Sequence, residues 1–198
     1  PAASPSQSGQ SGGSSITGAA ASLIEGNPNQ ESLIGTIHDE SVRLNHQIQN
    51  LLDMTRLQSG GVELNPEWHL PQDLVATALD HARPSLGRRE VRVQNQANLP
   101  LLRVDGLLIE KALVNLIENA GRYTPPDALI TIATEVGPAN LLFHVRDTGP
   151  GIPDENLSKL FLPGYRTPSG GYGLGLAVVK AVADLHQGSV HARNLPGS

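Results

Sequence analysis

Between Asp105 and Arg146 the hydrophobic rhythm changes once, and that change restricts the fold more than any other feature of the chain. Leu108, Ala112, Leu116 and Ala120 recur every four residues, with Ile109 and Leu113 beside them. This spacing predicts a helix from Asp105 to about Tyr123 with one buried stripe. Asp105 is the expected N-cap, and Pro125-Pro126 stops the helix. Leu129–Val136 and Leu141–Arg146 then alternate and are split by Gly137-Pro138, which reads as a β-hairpin. A helix and a hairpin that each carry one apolar face call for a mixed α/β arrangement.

The flanks extend that pattern. Val62–Trp68 is predicted as a strand, Pro71–Ala82 as a helix with Pro in its first turn, and Val91–Gln94 and Leu101–Val104 as short strands. A loop rich in Gly and Pro covers Thr148 to Gly173. A helix from Leu174 to His186 and a strand from Ser189 to Arg193 follow. Upstream, Ile16 to Glu25 fits a short helix closed by Gly26 and Asn27-Pro28. Gln30 to Gln58 fits a long one that ends before Gly60-Gly61. On it Ile37, Leu44 and Leu51 repeat every seven residues, beside Ile34, Ser41, Ile48 and Thr55. That seam suits either packing on its own domain or a helical hairpin that dimerises. Residues 1–15 are nearly all Pro, Ala, Ser, Gly and Gln, a composition expected to be disordered or linker-like.

Composition removes several function classes. There is no cysteine, hence no thiolate metal site, disulfide or cysteine nucleophile. A net charge of −5 gives no basic surface for nucleic acid. No apolar run approaches the roughly 18 residues that span a bilayer, so the chain is expected to be soluble, with a membrane segment only elsewhere in a parent protein.

Three stretches carry candidate chemistry. Asn115 and Asn119 are four residues apart and share a helical face, followed by Arg122 and Tyr123. Their amide oxygens are competent for Mg²⁺ when phosphate supplies the charge, though a solvated polar face has the same appearance. Asp147-Thr-Gly-Pro-Gly-Ile152 follows a strand. Its carboxylate accepts hydrogen bonds only, which suits adenine's exocyclic amine and opposes guanine's carbonyl. Gly149 and Gly151 permit close backbone approach, although a plain Gly-Pro turn has the same composition. Gly170-Gly-Tyr-Gly-Leu-Gly-Leu176 opens the last helix, where free N–H groups and the helix dipole favour phosphate. It has neither Walker nor dinucleotide-fold spacing.

Taken together, in this order, the stretches resemble the N, G1 and G2 boxes of the Bergerat ATPase fold shared by sensor histidine kinases, DNA gyrase, Hsp90-type chaperones and MutL proteins. The run from Leu113 to Pro125 is similar to the histidine kinase form of the N box. Asn115 stands where gyrase-type relatives carry a Glu base. Asn50-Leu-Leu-Asp-Met-Thr-Arg-Leu-Gln-Ser-Gly-Gly61 and Glu67-Trp68 resemble the junction to a dimerisation domain, most closely in Kdp-type, potassium-responsive sensor kinases.

The resemblance implies an α+β, two-layer α/β sandwich over residues 61–198, preceded by a partial dimerisation hairpin over 16–60. It implies ATP and Mg²⁺ as ligands, a homodimer, and a response regulator reached through a phosphoacceptor domain. The location implied is the cytoplasmic part of an inner-membrane sensor. Asn119 would ligate Mg²⁺, Asn115 would order phosphates and metal, Arg122 would face phosphate, and Tyr123 would pack beside the nucleotide. Asp147 would read adenine. Gly149, Gly151, Ile152, Gly171, Gly173, Leu174, Gly175 and Leu176 would shape the pocket and its lid.

The pattern also departs from that family. No histidine precedes His38, and His38-Asp39-Glu40 falls on the second hairpin helix, so no phosphoacceptor is assigned. Leu162 and Gly164 stand where Glu and Phe are usual, the lid from Arg166 to Gly171 is short, and a final strand is expected to be missing. Transfer of the ATP γ-phosphate to a histidine on another segment is the first functional expectation, with no autophosphorylation. A non-catalytic nucleotide-binding module and a slow ATPase of the gyrase or chaperone kind are the alternatives.

Overall fold

The structure, a computed structural model, describes residues 28–58, 63–165 and 173–195. The short helix expected at Ile16–Glu25 lies outside them, as do Gly171 and residues 166–172 generally. The chain divides into two compact units, Pro1–Leu52 and Asp53–Ser198.

The first unit is represented by most of helix α1, Pro28–Gln58, whose end from Asp53 onward belongs to the second. On the predicted seam, Ile34 and Ser41 are half-buried. Its larger members Ile37, Leu44, Ile48 and Leu51 are exposed.

The second unit begins with β1 (Glu67–His69), α2 (Pro71–Leu86), β2 (Glu90–Asn95) and β3 (Leu102–Val104). It continues with α3 (Gly106–Tyr123), β4 (Leu129–Val136), β5 (Leu141–Asp147), the single turn α4 (Asp154–Leu157) and α5 (Gly175–Leu185). β2, β4 and β5 form one sheet in that order, with β2 parallel and β5 antiparallel to β4. β1 and β3 pair separately as an antiparallel two-stranded ladder. Helices cover one face. Leu74, Val75, Ala78 and Ala82 of α2 and Leu113, Ile117 and Ala120 of α3 pack with Val104, Ile130 and Ile132 of the strands. A second cluster joins Ala112 of α3 to Ala177, Val178, Val179 and Val182 of α5, with Met54 from the end of α1 inserted beside them. The result is the expected two-layer mixed α/β fold.

Helix α3 sits centrally because it serves both clusters. Ile117 is fully buried and was absent from the single predicted stripe. A helix with neighbours on two sides buries more than one row, and each such side chain contributes about 1.5–3 kcal/mol. Gly121 lets α2 approach, since a Cβ there would lie 2.7 Å from the Ser85 carbonyl oxygen. Asp105 does cap α3, with Oδ1 accepting from the Leu108 N–H at 3.2 Å.

Three expectations change. The strand predicted at Val62–Trp68 is confined to Glu67–His69. Pro66, just ahead, has no N–H to give a ladder. Helix α2 passes Pro84 and runs to Leu86, which is buried in the core, then ends at Gly87 with φ 59°. Ser189–Arg193 forms no strand. Its alternation reflects Val190 packing toward the α5 cluster, with Ser189 and His191 exposed. The other edge of β5 therefore pairs with no strand among the described residues.

Candidate functional site

Two glycines connect the candidate stretches to α3. The first is Gly175, at the start of α5. A Cβ on it would lie 2.7 Å from Asn115 Oδ1, so the start of α5 is pressed against that amide. Asn115 is buried, contrary to a solvated polar face, and its Nδ2 donates to the Lys111 carbonyl at 3.0 Å. The donor end of the amide is thereby engaged and the oxygen is turned toward α5. Lys111 itself pairs with Asp53.

The second is Gly149. Its Cβ would meet Asp147 Oδ1 at 2.7 Å and Thr124 Cγ2 at 2.9 Å, with the Tyr123 carbonyl oxygen at 3.6 Å. The loop after β5 therefore lies directly against the C-terminal end of α3. The Gly149 N–H donates to Asp147 Oδ1 at 2.9 Å, which fixes one carboxylate oxygen. Asp147 is exposed, so its other oxygen can meet an incoming donor. The strand end is tied to β4 as well. The Thr148 N–H donates to the Leu129 carbonyl at 3.1 Å, and the Leu129 N–H donates to Thr148 Oγ1 at 2.9 Å.

Asn119 lies one turn beyond Asn115 and is half-buried, while Arg122 and Tyr123 are exposed at the helix end. Gly151 has φ 73° and Gly173 φ 70°, both left-handed and unstrained only for glycine. A side chain at Gly173 would strike the Tyr165 carbonyl, and the Gly164 N–H donates to the Gly173 carbonyl at 3.1 Å. Leu174 caps α5 without a side-chain hydrogen bond. Among the described residues no side chain caps the first N–H groups of α5, which a helix leaves without partners inside itself. Leu174 and Leu176 are half-buried beside them.

Several contributors have no local signature in the sequence. Asn194 acts as a strap: its Oδ1 accepts from the Ile152 N–H at 2.9 Å and its Nδ2 donates to the Ile152 carbonyl at 2.7 Å. His186 accepts the Asp105 N–H on Nε2 at 3.1 Å and sits 2.8 Å from the Val182 carbonyl through Nδ1, which places its proton on Nδ1. It thereby ties α5 to the start of α3. Arg89 grips Thr124, which abuts Gly149. Thr124 stands next to Pro125 and could have been singled out as the helix terminus; its partner 35 residues away could not. A recess of about 290 Å³ lined by Phe161, Val190 and His191 contains none of the predicted site residues.

The donor set suits a cation delivered with a polyphosphate. Amide oxygens are neutral hard ligands, and phosphate oxygens would bring the negative charge.

This combination of a mixed sheet, a central amide-bearing helix and two glycine loops folded onto it defines a class of ATP-binding domain. Residues 104–198 match the family described as histidine kinase-, DNA gyrase B-, and HSP90-like ATPase. Within that family, the chain carries an ATP-binding domain of the sensor histidine kinase kind. It is 36% identical over 176 residues to sensor protein KdpD of Escherichia coli (strain K12), a match covering 87% of this chain and 20% of that protein. The chain spans about a fifth of the length of such curated relatives. In fold it is similar to full-length ShkA, solved in complex with AMPPNP (TM-score 0.69, 22% identity, 85% of this chain and 37% of that one). It is also similar to the catalytic domain of histidine kinase ThkA (TM-score 0.60, 23% identity, 69% of this chain and 90% of that one).

Proposed function

We propose that this chain binds Mg-ATP and supplies the γ-phosphoryl group to a histidine nitrogen, as the catalytic part of a longer sensor kinase. The observation that carries the reading is the convergence of both glycine stretches on α3, at Asn115 and at Thr124. Asp147 takes the adenine amine through its free oxygen. Ile152 and Tyr123 flank the base, and Gly151 lets the loop backbone turn beneath it. Asn115 and Asn119 orient the phosphates and would hold Mg²⁺, which when bound neutralises charge on the transferred group. Arg122 adds a cation. The N–H groups at Gly175 and Leu176, at the start of α5, receive phosphate oxygens, with Gly173 and Leu174 shaping the lid.

In the transfer, the bond from the γ-phosphorus to the bridging oxygen breaks as a nitrogen–phosphorus bond forms, and ADP leaves. Little covalent chemistry falls to the protein, so positioning and charge neutralisation supply most of the rate. Asn115 cannot act as a base toward water, which favours transfer over hydrolysis.

The phosphoacceptor is assigned to a separate segment, so this chain acts in trans and does not label itself. The exposed seam of α1 supports pairing with a second copy. The identity to KdpD supports potassium-responsive signalling to a response regulator, in the cytoplasmic part of a membrane sensor. Among the described residues no helix is long and apolar enough to cross a membrane.

The test is calorimetric titration with ATP, with and without magnesium, followed by labelled ATP and a supplied acceptor hairpin. Magnesium-dependent binding with label on the hairpin is expected. Binding without transfer would instead favour a nucleotide-binding module, a reading suggested by Leu162 and Gly164 in place of the usual Glu and Phe. No binding at all would remove the proposal.

A further inference from the structure

We infer that Arg89 is a positioning residue for adenine selectivity, acting on Asp147 through Thr124 and Gly149. The inference rests on the reading of Asp147 as the adenine contact.

Arg89 follows the Gly87 turn that joins α2 to β2, and its guanidinium is half-buried. All three of its nitrogens are engaged. Nη1 donates to the Leu86 carbonyl at 3.1 Å, Nε to Thr124 Oγ1 at 3.0 Å, and Nη2 to the Thr124 carbonyl at 2.6 Å. Thr124 is buried and its hydroxyl donates in turn to the Ala120 carbonyl at 2.6 Å. Both roles of that hydroxyl are therefore filled, and its rotamer is set. The consequence is the direction of the methyl group. Cγ2 is held against Gly149, at the place where a Cβ would lie 2.9 Å away. Gly149 in turn donates its N–H to Asp147 Oδ1.

The carboxylate is thus referenced to two bodies. β4 fixes the strand end through Thr148, and the Arg89 fork fixes the loop through the end of α3. A planar fork with several fixed donors suits this task; a lysine would supply one point charge. A purely structural role, capping the carbonyl end of α3, would also engage Arg89. The two roles differ in what they predict for base discrimination.

The experiment measures Mg-ADP and Mg-GDP affinities and the thermal midpoint for the 198-residue chain and for Arg89→Gln, Arg89→Lys, Thr124→Ser and Asp147→Asn. Thr124→Ser keeps both hydrogen bonds and removes only the methyl that touches Gly149. The ADP-over-GDP preference is expected to fall about three- to tenfold in Arg89→Gln and in Thr124→Ser. In Thr124→Ser the thermal midpoint should stay near that of the parent. Arg89→Lys should regain part of the midpoint lost in Arg89→Gln and little of the base preference. If Arg89→Gln does not fold, Thr124→Ser alone decides. A preference lost in Asp147→Asn but intact in both Arg89→Gln and Thr124→Ser overturns the inference alone. A parent chain that binds no ADP, or an Asp147→Asn variant with the parent's preference, overturns the underlying reading and the inference with it.

Discussion

The proposed adenine end of the site is tied to two regular elements, to β4 through Thr148 and to α3 through Thr124, whereas among the described residues the proposed phosphate end meets α3 through Asn115 and Gly175 and is otherwise held by loop backbone, the Gly164 N–H donating to the Gly173 carbonyl. The first end contains a carboxylate already oriented by a backbone N–H. The second offers N–H groups with no side-chain cap and glycine backbone at φ 70°. The difference teaches how such a site divides its work. A base must be distinguished from close analogues, and discrimination requires donors and acceptors fixed beforehand. A triphosphate is recognised mainly by charge, and the segment around it can settle after binding.

The sharpest way to break this comparison is Asp147→Asn. Hydrogen bonds to charged groups are worth about 1.5–3 kcal/mol, so ATP affinity should drop roughly 10- to 100-fold by calorimetry. Parent-like affinity would show that the fixed end does not read the base. Next comes Gly175→Ala. Its Cβ would displace the Asn115 amide oxygen, and ATP should bind about five- to tenfold more weakly while adenosine binds as before. Equal losses for both ligands would mean that the two ends are not separable. Thr148→Val should cost about 0.5–1.5 kcal/mol of stability in denaturant melts and weaken adenosine slightly, by loosening one of the two ties. Lys180→Ala sets the floor. The Lys180–Asp184 pair on α5 is exposed, and its loss should change stability by about 0.5 kcal/mol or less, with nucleotide affinity untouched.

The same division governs what could be read from the chain in advance. The placement of Asn115 and Asn119 on one face follows from helical spacing, and the Asp105 cap and the β4–β5 hairpin follow from short-range chemistry. Burial of Asn115 does not, because it depends on α5 arriving from sixty residues away. Ile117 was missed for a related reason: the sequence shows that a row is apolar, not how many neighbours the helix has. The strand expected at Ser189–Arg193 shows the opposite error. A period of two there comes from half-buried Val190 and Ala192 without a ladder. Arg89 and Asn194 are invisible to any pattern, since an arginine after a turn and an asparagine near a proline are ordinary until their partners 35 and 42 residues away are known. Residues 166–172, with Gly171 among them, lie outside the described residues, so the lid reading stands on Gly173 and Leu174.

One consequence concerns folding rather than binding. β2 and β4 run parallel, so no tight turn can join them, and the connection that brings the chain back contains β3 and the whole of α3. The β4–β5 hairpin can pair locally, but registry between β2 and β4 waits on the docking of the asparagine-bearing helix. Addition of β2 to the sheet is therefore coupled to assembly of the ligand-facing surface on α3, a long-range step that should weigh on the refolding rate.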